Sequence, residues 1–340
     1  MPDAAPVQYV AQFPRPDHFI VHLSDTHLVA GGGSLYDRVD SEAHLRELFA
    51  ELEASGARPE ALIFTGDLAD HGDPEAYVAL RAIVEPAATR LGAQVIWVMG
   101  NHDDRGNFRE GLLGQHPLTT PIDRVYDVNG LRIIAIDSSV PGHHHGLVTD
   151  AQLDWLAEEL ASPAPHGTII AMHHPPVPSV QDLAILVELR NQDALAEVIR
   201  GSDVRSIIAG HLHYSTTSTF AGVPVSVASA TCYTQDLNVA ADASGVRGTK
   251  PRDAAQAYNL VHVYEETVLH SVVPIGQSDA LKFTSAEETT RLLAAHAVAI
   301  RPSSTLPAEP DETVITTHEI SADEISTDEL HPPTREFSIV

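Results

Sequence analysis

Two hydrophobic rhythms alternate along this chain. Short apolar runs have the length and β-branched content of buried strands: HFIVHL before Ser24, ALIFT before Gly66, QVIWVM before Gly100, LRIIAID ending at Asp137, TIIAM before His173 and VRSIIA before Gly210. Between them, apolar residues recur at helical spacing. Leu45, Leu48, Phe49 and Leu52 mark a helix capped near Asp40 or Ser41 and stopped at Gly56. Asp73 and Pro74 read as cap and first residue of a second helix, with Tyr77, Leu80, Ile83 and Val84 inward. Thr149 with Gln152 forms a capping-box pattern ahead of Leu153, Leu156 and Leu160, and Leu195, Val198 and Ile199 mark another helix. From Ser215 to about Ile275, the segments TSTFAG, VPVSVAS, YNLVHVY and TVLHSVV read as strands, with residues 230–257 a long loop; there is no internal repeat. The alternation predicts an α/β fold.

Polar residues gather where five of these strands end. In open α/β sheets, ligands bind beyond the carboxyl ends of the strands, so residues far apart in sequence can converge there. The ends carry Asp25 and His27, then Asp67, then Asn101 and His102, then His173, then His211 and His213. Two carboxylates, an amide and five imidazoles form a mixed oxygen and nitrogen donor set suited to Mn, Fe or Zn. Two metals roughly 3.5 to 4 Å apart are the usual clamp for phosphoester hydrolysis.

The order SDTH (24–27), GD (66–67), GNHD (100–103), HHPP (173–176) and GHLH (210–213) resembles the calcineurin-like metallophosphoesterases. Through LSDTHL, FTGDLAD, WVMGNHDD, DSSVPGHHHG and AGHLHYS, roughly residues 15–275 are most similar to the bacterial class III cyclic nucleotide phosphodiesterases. The string GDLADHG departs from the GDxxDRG of the serine/threonine phosphatase branch, and Asp70 stands where the purple acid branch has Tyr. The resemblance implies a layered α-β-β-α sandwich of two mixed sheets flanked by helices. It implies that Asp25, His27 and His213 hold one metal, Asn101, His173 and His211 a second, and that Asp67 bridges them. Iron or manganese is expected, with zinc also suited. Two divalent ions opposed by Asp25 and Asp67 would leave a surplus of about +2 for hydroxide and substrate. The implied reaction is attack of a metal-bound hydroxide on phosphorus, with His102 as general acid for the leaving oxygen. Cyclic nucleotides, 3′,5′-cAMP and 2′,3′-cyclic nucleotides, are the expected substrates, bound in part by Asn101 and His102. The alternative is a broader phosphodiesterase acting on glycerophosphodiesters or other small diesters.

The remaining histidines read mostly as surface or strand residues, with His22 structural and His174 either orienting its neighbour or acting directly. The run His143, His144, His145 lies at a strand's carboxyl end, where one of the three is expected to line the pocket, His143 being named for it, the alternative being a solvated loop or a subunit contact; Asp137 is taken as a partner for a ligand histidine. A formal net charge of −27 opposes a duplex nucleic-acid ligand and hence a nuclease, because such binding draws on Lys and Arg. A noncatalytic scaffold would be expected to lack His102 or several ligands. One cysteine, Cys232, excludes an internal disulfide framework and suits a reducing compartment. No signal sequence and no run long enough to span a membrane are seen, so the expected location is the cytoplasm. A homodimer is expected by analogy. Residues 1–15 read as an arm, 16–280 as the catalytic domain and 281–340 as an extension, acidic and mobile after about residue 300.

Overall fold

Four of the six described helices start where a side chain accepts from one of the first backbone N–H groups. The computed structural model describes residues 9–276 and 280–303. It contains the helices α1 (Ser41–Ala54), α2 (Pro74–Leu91), α3 (Arg105–Leu113), α4 (Asp150–Glu159), α5 (Gln192–Ile199) and α6 (Ala286–Ala295). Asp40 accepts from the Ala43 N–H at 2.9 Å at the start of α1, and the Thr149–Gln152 capping box is formed ahead of α4. At α2, Pro74 occupies the first turn, where its missing N–H costs nothing. Helices α3 and α6 go beyond those that the apolar spacing predicts.

The strands, in chain order, are β1 (His18–Leu23), β2 (Ala61–Thr65), β3 (Gln94–Val98), β4 (Arg124–Val128), β5 (Leu131–Ile136), β6 (Gly146–Leu147), β7 (Thr168–Met172) and β8 (Leu189–Arg190). They continue with β9 (Val204–Ala209), β10 (Thr216–Phe220), β11 (Val223–Val227), β12 (Thr234–Gln235), β13 (Pro251–Arg252), β14 (Ala257–Val263) and β15 (Val268–Pro274). One sheet has the order β15-β14-β1-β2-β3, the other β10-β11-β9-β7-β5-β4, and β12-β13 and β6-β8 are small ribbons. Both large sheets are mixed: β1, β2 and β3 run parallel with β14 antiparallel, and β5, β7, β9 and β11 run parallel with β4 and β10 antiparallel.

Alternation along each strand divides the core into layers. Val21, Leu23, Leu62 and Phe64 pack on α1, α2 and α3, while Ile134, Ile170, Met172 and Ile207 pack on α4 and α5. The residues between, Ile20, Ile63 and Val98 from one sheet with Ile133, Ile169 and Ile208 from the other, press the sheets together. The result is the α-β-β-α sandwich expected from the sequence. A polar seam crosses the inter-sheet layer. Asn259 donates to Ser226 Oγ at 3.3 Å and Ser206 Oγ pairs with His270 Nε2 at 2.9 Å, both between sheets, while His22 Nε2 pairs with Thr65 Oγ1 at 2.9 Å.

Residues of the expected N-terminal arm join those of the expected extension. Ala11 N–H donates to Ala299 O, and Arg15 N–H to Arg301 O, each at 2.9 Å. The mobility expected after about residue 300 concerns positions that, from 304 on, lie outside the described residues, as do residues 1–8 of the arm. No helix among the described residues is long and apolar enough to cross a membrane.

Ile63 is fully buried in the inter-sheet layer. Ile63→Ala is expected to destabilise the fold by about 2–5 kcal/mol, the usual cost of a large-to-small change in a packed core. Chemical denaturation checks this, and a loss below about 1 kcal/mol would show that the layer relaxes around the cavity.

Candidate metal centre

Strained turns carry the polar residues out of the strands. Asp25, His27, Asp67, His211 and His213 all have left-handed backbones, with φ of 54°, 41°, 51°, 73° and 56°. Each such residue costs on the order of 1 kcal/mol or more and persists only where its surroundings fix it. The loops fix one another. Asp25 N–H donates to Gly66 O at 3.0 Å and His27 N–H to Asp67 O at 2.9 Å, and Asp25 accepts the His211 N–H at 3.0 Å. Glycine is needed where the loops cross: a Cβ on Gly210 would lie 1.8 Å from Ser24 Oγ, and one on Gly100 would lie 2.2 Å from Asp67 N. Asp103 fastens the Asp67 loop to the Asn101 loop, accepting from the N–H groups of Leu68, Ala69 and Gly100 and from the Tyr77 hydroxyl. Burial, and then the Asp67 charge, push the Asp103 carboxyl up to about 6.

Four imidazoles are oriented by the same device. His27 Nδ1 donates to Asp70 Oδ1 at 3.0 Å, His173 Nδ1 to Thr65 O at 2.7 Å, His211 Nε2 to Val187 O at 2.9 Å and His213 Nδ1 to Tyr233 O at 3.0 Å. Each bond selects a tautomer and leaves the other ring nitrogen as a lone-pair donor. Those second nitrogens face inward. His173 Nε2 is 3.1 Å and His27 Nε2 is 3.5 Å from Asp67 Oδ2, His213 Nε2 is 3.4 Å from Asp25 Oδ1, and His211 Nδ1 is 3.2 Å from His173 Nε2. One oxygen of Asp67 therefore lies between an imidazole of each expected metal set.

This donor set fits cations. Ligand atoms of Asp25, Asp67 and His173 lie within 4.8 Å of one another. His27 Nε2 and Asn101 Oδ1 are buried without a hydrogen-bond partner. Orphaned buried acceptors are costly, and cation coordination removes that cost. Burial alone would raise the pKa of Asp67, but the charge of His173 and its hydrogen bond outweigh this and hold it well below the usual carboxylate range. His173 is raised in turn, with Asp67 overcoming the opposing effect of burial.

His102 stands beside the donors. Its N–H donates to Asp67 Oδ1 at 2.9 Å, its Nδ1 donates to Asp70 O at 2.8 Å, and its ring lies 4.7 Å from that of His27. A cavity of about 250 Å³ opens over His27, Asp67, Asn101, His102, His211 and His213, with His144 and Tyr233 also on its wall.

Two expectations are corrected. His144, not His143, reaches the cavity: the Asn101 amide donates to His144 Nδ1 at 3.1 Å. A bridge between Val140 and His143 turns the loop, and the His143 ring packs on His145 at 5.0 Å. Asp137 orients no ligand histidine; it accepts from Arg105 Nε at 2.8 Å and from the Ile122 N–H at 3.0 Å. That role belongs to Asp70, whose position in GDLAD was the available signal. His174 has both ring nitrogens engaged, with Ser138 Oγ and His144 O, and its ring lies 4.5 Å from that of His211 at a tilt of 54°. Asp103 and Tyr233 were also missed, because their roles depend on loops meeting across the fold.

The sequence profile of the calcineurin-like phosphoesterases matches residues 20–215. A probable cyclic nucleotide phosphodiesterase of Rhodococcus erythropolis is 63% identical over 294 residues, covering 86% of this chain and 96% of the relative. A cAMP/cGMP dual specificity phosphodiesterase of Mycobacterium tuberculosis is 58% identical over 294 residues, 86% of this chain and 91% of the relative. Among solved structures, a dimetal phosphatase from Danio rerio aligns with a TM-score of 0.54 at 15% identity, covering 78% of this chain and 100% of the other, a likeness of fold alone.

Asp67→Ala removes the one carboxylate placed between the two donor sets. Elemental analysis of the variant should find fewer than two metals per chain; two tightly held metals would exclude Asp67 as the bridge.

Proposed function

We propose that this chain, which belongs to the calcineurin-like phosphoesterase family, is a metal-dependent phosphodiesterase of cyclic nucleotides, 3′,5′-cAMP first among them. One observation carries the reading: the ring nitrogens of His27, His173 and His213 face the buried carboxylates of Asp67 and Asp25, that of His211 faces His173, and each ring is held at its other nitrogen by a hydrogen-bond acceptor. The relatives at 63% and 58% identity, named for cyclic nucleotides, support the substrate class.

The donors fit two divalent cations, with iron and manganese favoured by the mixed oxygen and nitrogen set. Asp25, His27 and His213 would hold one, Asn101, His173 and His211 the other, and Asp67 would be shared. When bound, the pair supplies Lewis-acid charge at the phosphoryl oxygens and acidifies a water molecule.

The chain's own residues do the rest. Asp70 fixes both His27, through its carboxylate, and His102, through its carbonyl oxygen. With Nδ1 engaged there, His102 presents Nε2 toward the cavity as the proton donor for the departing 3′ oxygen of the ribose. Asn101 and His144 line the approach to the phosphate. In a cyclic diester the leaving oxygen stays tethered to the product, so a single hydrolysis completes the reaction. Location in the cytoplasm fits the single cysteine, Cys232, and a homodimer follows by analogy with the family.

His102→Ala should retain its metals and lose about 10² to 10⁴ in rate on 3′,5′-cAMP, with a smaller loss on bis(4-nitrophenyl) phosphate, whose phenolate leaves with little need of a proton. Equal losses on both substrates would remove His102 from the acid role. A panel of 3′,5′-cAMP, 2′,3′-cAMP and glycerophosphocholine on metal-loaded protein tests the substrate class. The highest kcat/KM should fall on a cyclic nucleotide, and a maximum on glycerophosphocholine would overturn the reading.

A further inference from the structure

Beside the metal centre lies a second cavity that the cyclic nucleotide reaction does not use. Tyr233 forms the wall between them: its ring is 4.3 Å from that of the ligand His213 on one side and 5.4 Å from that of Tyr36 on the other. The cavity is about 440 Å³ and is bordered by Tyr36, Arg38, Tyr233 and Arg252.

Local strain builds the near wall. Tyr36 and Asp37 both have left-handed backbones, φ 52° and 56°, at the tip of a turn closed by hydrogen bonds between Leu35 and Val39. Leu35 and Val39 are buried against Ala230 and Cys232, so the turn is clamped at its base. The tip displays Tyr36, 65% exposed and hydrogen-bonded through its hydroxyl to that of Tyr233 at 3.3 Å. Two successive strained residues holding a large aromatic in solvent are a cost that packing does not return, which is the usual mark of a binding position.

Charge points the same way. In a chain of net charge −27, two arginines line this cavity. Arg38 has no side-chain hydrogen bond or ion pair among the described residues, and Arg252 is held only through Nε, which donates to Thr234 Oγ1 at 3.3 Å. The carboxylate at the rim, Asp253, is engaged by Gln256 at 2.7 Å. Free guanidinium forks select phosphate, and tyrosine rings supply a stacking face for any base.

We propose that this cavity is a subsite for a second phosphate, and that the enzyme also hydrolyses short linear nucleotides carrying a terminal 5′-phosphate. The inference rests on the phosphodiesterase reading of the metal centre. In the dinucleotide pApA, the internal diester occupies the metal centre, a base lies against Tyr233 and Tyr36, and the terminal phosphate meets Arg38 and Arg252. Water adds to the internal phosphorus, the bond from phosphorus to the 3′ oxygen breaks, and that oxygen takes up a proton. Two molecules of 5′-AMP result.

The test compares ApA with pApA, which differ only in the terminal phosphate, on full-length, metal-loaded protein. kcat/KM should favour pApA by at least about tenfold, the worth of one good charge-assisted contact. The Arg38→Ala/Arg252→Ala double variant, checked for metal content, should bring the ratio close to one. Equal rates on ApA and pApA in the unaltered protein, or a preference that survives in the variant, would overturn the subsite. So would turnover of 3′,5′-cAMP with none of either dinucleotide. Failure on 3′,5′-cAMP and bis(4-nitrophenyl) phosphate would instead overturn the parent reading. Calorimetric binding of ApA and pApA then carries the same comparison: an equal Kd counts against the subsite, and tighter pApA binding lost in the variant supports it.

Discussion

Burial of Asp25 and Asp67 among four imidazoles is the constraint from which the rest of this structure follows. Two carboxylates this close and this dry repel each other and lose hydration, so they are tolerable only beside positive charge. Without cations the charge comes from histidines, which is why His173 holds the pKa of Asp67 down while Asp67 raises that of His173. With cations bound, as proposed, the same nitrogens would be ligands. Every supporting contact serves that exchange: Asp70, Thr65, Val187 and Tyr233 hold the rings so that the inward nitrogen carries the lone pair.

The donors are divided between the two sheets. Strands β1, β2 and β3 lead to Asp25, His27, Asp67 and Asn101, whereas β7 and β9 lead to His173, His211 and His213. A slip of one sheet on the other would separate the halves, so the inter-sheet layer around Ile20, Ile63 and Ile208 is as much a part of the centre as the ligands. The polar pairs Asn259–Ser226 and Ser206–His270 add directional contacts across that layer, where apolar packing alone has none.

Much of this was legible because the chemistry sits where strands end, and strand ends are marked in sequence by an apolar run meeting a polar string. Helices α1, α2 and α4 announced themselves through Asp40, the Asp73–Pro74 pair and Thr149 with Gln152. Helix α3 did not, since it contains Gly106 and Gly111 and buries just Phe108, Arg109 and Leu112. The choice between His143 and His144 turned on one bridge within a loop, which no periodicity reports. Likewise Asp137 and Asp70 are both carboxylates near strand ends. Only the fold shows that one meets Arg105 and the other His27.

The left-handed backbones of Asp25, His27, Asp67, His211 and His213 also bear on how this sequence can change. Together they hold strain on the order of 5 kcal/mol, comparable to the whole stability of many domains. Glycine would relieve it at every one of these positions and would remove a proposed ligand each time. Under selection for heat resistance alone, a population of such genes would therefore drift toward glycine at these five codons. Its best survivors would be robust proteins that no longer turn over substrate.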